Sequence, residues 1–131
     1  MAKLTQEMID QVKGKMAYVA TVAPDGTPLV GPKASFKVFD DEHVGWNEST
    51  GKNIFESLQK NPACALAIMD YEKRQGYRFT GKAEVFTAGP LYEKTKEEYA
   101  AAGRSAPIAV VRVAVDDIYL LLPMGKSRRF E

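Results

Sequence analysis

The chain has 131 residues, 45% of them hydrophobic, with 18 Lys and Arg against 17 Asp and Glu for a net charge of +1. That length suits one domain, residues 1–131, with a real core, and the hydrophobic content excludes overall disorder. Near-neutrality argues against a dedicated nucleic-acid binder, and the lone Cys64 cannot form an internal disulfide, so nothing points to secretion.

Residues 5–13 read as a helix, with Leu4, Met8 and Val12 on one face, Thr5 as its cap and Gly14 as its stop. Residues 16–23 are short and almost wholly apolar, as in a buried strand. Pro24-Asp25-Gly26-Thr27-Pro28 is a turn. Residues 29–38 read as a second strand, because Ala34, Phe36 and Val38 alternate with Lys33, Ser35 and Lys37. An acidic turn precedes a third strand at 43–47. A helix follows at 51–60, packing through Ile54, Phe55 and Leu58 and stopped by Asn61-Pro62.

Strands are expected at 63–69 and 77–86. A third helix opens at Pro90, the favoured first position, and ends at Gly103. Two final strands fall at 108–115 and 118–122, and residues 123–131 form a polar, basic tail. The count is about seven strands and three short helices. Short turns join consecutive strands early in the chain, which favours a mainly antiparallel sheet or barrel over a doubly wound sheet. No apolar run approaches the ~18 residues of a membrane span, and the opening residues lack a signal-peptide apolar stretch. A cytoplasmic protein with no membrane partner is expected.

Chemistry concentrates in Asn47-Glu48-Ser49-Thr50-Gly51-Lys52-Asn53. A strand ends, hydroxyls and a glycine follow, and a lysine sits in the first turn of a helix. Free backbone N–H groups and the helix dipole favour an anion there. An ordinary helix start with a solvated lysine gives the same local pattern. It is not a nucleotide P-loop: Trp46 stands where the first glycine belongs and Asn53 replaces the hydroxyl. In Gly31-Pro32-Lys33-Ala34-Ser35-Phe36-Lys37, glycine and proline inside a strand suggest an edge or bulge with free backbone groups. A solvent-facing strand explains it equally. Around the single histidine, His43, no Ser–His–Asp or metal-ligating set assembles, so no catalytic residue and no metal site is expected. The basic tail reads as a flexible solubilising segment rather than a polyanion site.

Taken in order, these segments resemble the flavin-binding split-barrel family related to pyridoxamine 5'-phosphate oxidase, especially its short FMN-binding members. The resemblance rests on the opening helix, Ala17-Tyr18-Val19-Ala20-Thr21-Val22-Ala23, Asp25-Gly26-Thr27-Pro28 and the strand from Lys33 to Phe36. It continues through Ser49 to Asn53, Asn61-Pro62-Ala63-Cys64-Ala65 and Phe79-Thr80-Gly81-Lys82-Ala83-Glu84-Val85. It implies an antiparallel split β-barrel with short helices. The flavin ring would lie against Lys33, Ala34, Ser35 and Phe36, and the phosphate at Thr50, Gly51, Lys52 and Asn53. Asn47, Glu48 and Ser49 would border the ribityl chain and ring.

The resemblance also implies a homodimer with FMN between subunits, residues 104–107 or the tail reaching the partner's flavin. The extra arginine and histidine positions of longer oxidases have no match here, which argues against pyridoxamine 5'-phosphate oxidase activity. The function implied is an FMN-binding flavoprotein, an oxidoreductase or electron carrier whose cofactor supplies the redox chemistry. The alternative is a non-enzymatic ligand-binding module of the same fold, storing flavin or binding haem or a deazaflavin.

Overall fold

In the computed structural model the described residues are 2–123 and 126–130; Met124, Gly125 and Glu131 of the polar tail lie outside them, as does Met1. Helix α1 (Gln6–Val12) begins where Thr5 Oγ1 accepts from the Met8 N–H at 3.2 Å, and it buries Met8 and Val12. Alternation then builds the strands. In β1 (Ala17–Val22), Ala17, Val19 and Thr21 face inward and Tyr18, Ala20 and Val22 face out. The chain continues through β2 (Pro28–Lys33), β3 (Lys37–Asp40), β4 (His43–Glu48), α2 (Asn53–Lys60), β5 (Ala63–Asp70), β6 (Gln75–Phe86), α3 (Pro90–Ala101), β7 (Ala109–Leu121) and β8 (Arg128–Arg129).

The strands form one antiparallel sheet in the order β2-β1-β5-β6-β7-β4-β3, with β8 paired to β7. β2 and β3 are consecutive in the chain yet lie at opposite ends of this order. Only Ala34, Ser35 and Phe36 separate them. The sheet must therefore curl until its two edges come together, which makes an antiparallel split barrel. Trp46, Leu66, Ile68, Phe79 and Ile118 fill its interior, each worth about 1.5–3 kcal/mol on burial.

The single strand expected at 29–38 is thus two strands on opposite edges. Alternation persists through the turn at Ala34 and Ser35 and hides the break. Conversely, the two strands expected at 108–115 and 118–122 are one, β7. Asp116 is an extra residue at a bulge: Thr80 pairs Asp117 while Gly81 pairs Val115, so the strand bends without ending. Helix α2 begins at Asn53 rather than at residue 51, because Gly51 has φ +64°, outside helical geometry. The tail is not loose at its far end. Arg128 and Arg129 pair with Leu120 and Tyr119, and the Phe130 N–H donates to the Ile118 carbonyl at 2.7 Å.

One outer face of the barrel is apolar across three strands. Register places Ala20 beside Val30 and Ala65, and Tyr18 beside Pro32 and Ala67. Val30 is 71% exposed and Tyr18 43%. No helix among the described residues is long and apolar enough to cross a membrane.

Candidate functional site

The seam where the curled sheet meets itself holds most of the residues singled out from sequence. The Ser35 hydroxyl donates to the Asn47 carbonyl at 2.9 Å and accepts from the Asn47 N–H at 3.0 Å. This clasp fixes the turn between β2 and β3 against β4. Lys33 ends β2 on one side of the seam. From β4 on the other side comes Glu48, whose carboxylate lies 2.9 and 3.1 Å from the Lys33 ammonium. The ion pair therefore spans the seam, with Lys33 13% and Glu48 0% exposed.

Glu48 is inward because alternation in β4 puts Val44, Trp46 and Glu48 on the same face. Its carboxylate collects further donors: the Trp46 indole N–H at 2.9 Å, the Thr50 hydroxyl at 2.9 Å, and the N–H groups of Thr50 and Gly51 at 3.2 and 3.0 Å. The positive φ of Gly51 lets the chain turn back over the carboxylate. Burial pushes the Glu48 carboxyl up, but the hydrogen bonds from Trp46, Lys33, Gly51 and Thr50 outweigh it and hold the group at about 2. Glu48 is therefore a buried anion at neutral pH, seated in the loop where the sequence suggests an external phosphate.

Beside it runs a groove of about 330 Å³, lined by Gly31, Pro32, Lys33, Thr50, Lys52 and the start of α2. No side chain caps that helix. The N–H groups of Asn53, Ile54 and Phe55 have no intrahelical acceptor and face the helix start. Lys52 is exposed and free of ion pairs among the described residues. The groove offers an anion uncapped donors, one cation and an apolar wall.

The remaining singled-out residues separate. Ala34 and Ser49 are exposed at the seam and loop. Phe36 turns into the core and lines a different cavity, beside Ile9 and Val12 of α1. Asn47 faces away from Glu48, its Nδ2 donating to the Tyr99 hydroxyl at 3.1 Å. Its Oδ1 is the one buried side-chain polar atom without a partner among the described residues. Arg104 lies over the Tyr99 ring at 4.5 Å. Sequence reading missed the Trp46 indole as a donor and Tyr99 as the partner of Asn47. The inward alternation of Val44, Trp46 and Glu48 was the available signal for the first.

The family model described as pyridoxamine 5'-phosphate oxidase matches residues 4–122. The chain belongs to the pyridoxamine 5'-phosphate oxidase family. Among relatives of this family member, HupZ of Group A Streptococcus has a solved structure with a TM-score of 0.86 and 34% identity, covering 98% of this chain and 99% of that one. An uncharacterized protein of Methanocaldococcus jannaschii is 32% identical over 127 residues, 91% of this chain and 81% of the relative. An FMN-binding protein from Syntrophomonas wolfei shares the fold alone, at 10% identity and a TM-score of 0.68, covering 88% of this chain and 82% of that one.

Proposed function

We propose that this member of the pyridoxamine 5'-phosphate oxidase family binds a flavin, FMN being the form tested first, and serves as an oxidoreductase or electron carrier. What chiefly supports the reading is the family match over residues 4–122. The groove beside the uncapped start of α2 is compatible with it. When bound, the flavin supplies hydride or electron transfer. The chain's own residues hold and orient it. Lys52 and the N–H groups of Asn53, Ile54 and Phe55 would meet the anionic end, and Gly31, Pro32 and Ile54 give the apolar wall. Absorption spectra and fluorescence quenching on titration with FMN test this. Saturable binding with one flavin per chain supports it; no uptake of flavin at any concentration rejects it.

The site is proposed to be completed by a second copy of the chain. The apolar outer face of β2, β1 and β5, with Tyr18, Ala20, Val22, Val30, Ala65 and Ala67, is the surface offered to it. A two-fold contact there would bring two equivalent grooves to a shared boundary, the kind of place where mostly apolar ligands bind. Light scattering of the intact protein and of Val30→Glu tests the contact. A dimer that dissociates in the variant supports it, and a particle at 14.5 kDa in the intact protein rejects it.

A further inference from the structure

We infer that Glu48 is a specificity residue: its carboxylate fills the inner anion site of the loop between β4 and α2, so a cofactor phosphate finds only Lys52 and the N–H groups at the start of α2. This deepens the flavin reading and rests on it for the identity of the ligand.

The donors around Glu48 are those a bound phosphate would use: an ammonium from Lys33, a hydroxyl from Thr50, backbone N–H groups from Thr50 and Gly51, and an indole N–H from Trp46. All of them converge on one side chain of the protein itself. A carboxylate offers about four lone-pair sites, and these contacts saturate them. Glu48 is wholly buried and takes up these donors itself. A ligand phosphate placed on Lys33 or Gly51 would meet a like charge in a poorly screened setting, or would have to expel Glu48 from all its partners.

The loop's donors are thereby divided. The inner set is occupied, and only Lys52 with the N–H groups at the start of α2 remains for a ligand. Lys52 is exposed, and an exposed charge contact adds little affinity. With the dipole of α2 added, the phosphate of FMN should then contribute about thirtyfold or less over riboflavin. Emptying the inner set should raise that preference, because buried charge-assisted donors would become available to the phosphate.

The test uses the full chain and Glu48→Ala. Thermal melts are run in inorganic phosphate and in chloride at equal ionic strength, and FMN and riboflavin are titrated into both proteins. Phosphate should raise the Tm of Glu48→Ala by several degrees more than that of the intact protein, whose rise reflects only the general stabilising effect of the ion. The FMN-to-riboflavin preference should be about thirtyfold or less in the intact protein and about tenfold higher than that in the variant. A phosphate shift in the intact protein as large as in the variant overturns the inference. So does an intact protein that already prefers FMN by fiftyfold. If Glu48→Ala does not fold, the FMN-to-riboflavin preference of the intact protein decides: fiftyfold overturns the inference and about thirtyfold or less supports it. If neither flavin binds, the flavin reading falls, and the phosphate melts still report whether Glu48 fills the loop.

Discussion

Replacing Glu48 by Gln changes one charge and almost no volume, so it isolates the electrostatics of the seam. The carboxyl is held at about 2 against an ordinary glutamate value of 4.5. That displacement corresponds to about 3 kcal/mol of stability. The sign follows from the folded group titrating below the unfolded one: the contribution is complete above pH 4.5 and is lost as the pH falls toward 2. Glutamine would also leave the Lys33 ammonium beside a neutral amide and turn its own NH2 toward donors. Breaking one partner of a buried pair costs about 3–5 kcal/mol, and Lys33 is slightly open to water, so the lower end applies. Urea denaturation at pH 7 should therefore show Glu48→Gln less stable by about 3 kcal/mol. The gap between the two proteins should shrink steadily from pH 4.5 to 2. A variant within about 0.5 kcal/mol of the parent at pH 7, or an unchanged gap at pH 2, would falsify this account of the buried carboxylate.

The hydroxyls of Ser57 and Thr21 lie 2.7 Å apart in the buried contact between α2 and β1, and Ser57 also reaches the Ile54 carbonyl. Ser57→Ala orphans Thr21 and should cost about 1–3 kcal/mol, whereas Thr21→Val leaves Ser57 a partner and should cost under about 1 kcal/mol; paired urea curves would show the order. A Cβ at Gly81 would sit 2.0 Å from the Ala114 carbonyl oxygen, while one at Gly26 meets nothing within 4 Å. Gly81→Ala should therefore lose about 3 kcal/mol and Gly26→Ala, strained only by its positive φ, about 1 kcal/mol, with equal losses counting against the clash. Burial first, and then the charge of Asp116, pushes the Cys64 thiol up to about 12. The folded protein should resist a thiol reagent at pH 8 and react at once in denaturant, and fast labelling when folded would contradict that burial.

Where residues alternate between core and water, the sequence was readable. β6 lies close to its expected limits because period two marks it, and β1 and β5 because short apolar runs end at the turns near Gly26 and Pro62; β1 nonetheless alternates, where its apolar run suggests burial on both faces. The crossing at Ala34 and Ser35 was hidden because a two-residue turn can preserve alternation while sending the chain to the opposite sheet edge. Asp116 misled in the other direction: a bulge places a charged residue at the surface and mimics a strand end. At the site, the sequence marked Thr50, Gly51, Lys52 and Asn53 as an anion loop, with Lys33 and Glu48 set apart from it beside the ring and ribityl chain. It did not say that the anion is Glu48. A glutamate just before Ser-Thr-Gly reads as loop, and its buried position depends on Lys33, whose approach across the seam is a property of the curled sheet.

The placement of β2 and β3 at opposite ends of one sheet also orders events in time. Each pairs with a near neighbour in sequence, β2 with β1 and β3 with β4, through connections of a few residues. Such hairpins can form early, since short loops close at low entropic cost. The clasp between Ser35 and Asn47 continues the register of the β3–β4 pairing and can form with it. The pair between Lys33 and Glu48 instead joins β2 to β4, strands that share no ladder, and is expected to form after the hairpins. Weakening it should leave the refolding arm of a chevron nearly in place and speed escape from the native state. The seam is thus less a nucleus than a latch, and it governs how long the barrel stays shut once it has formed.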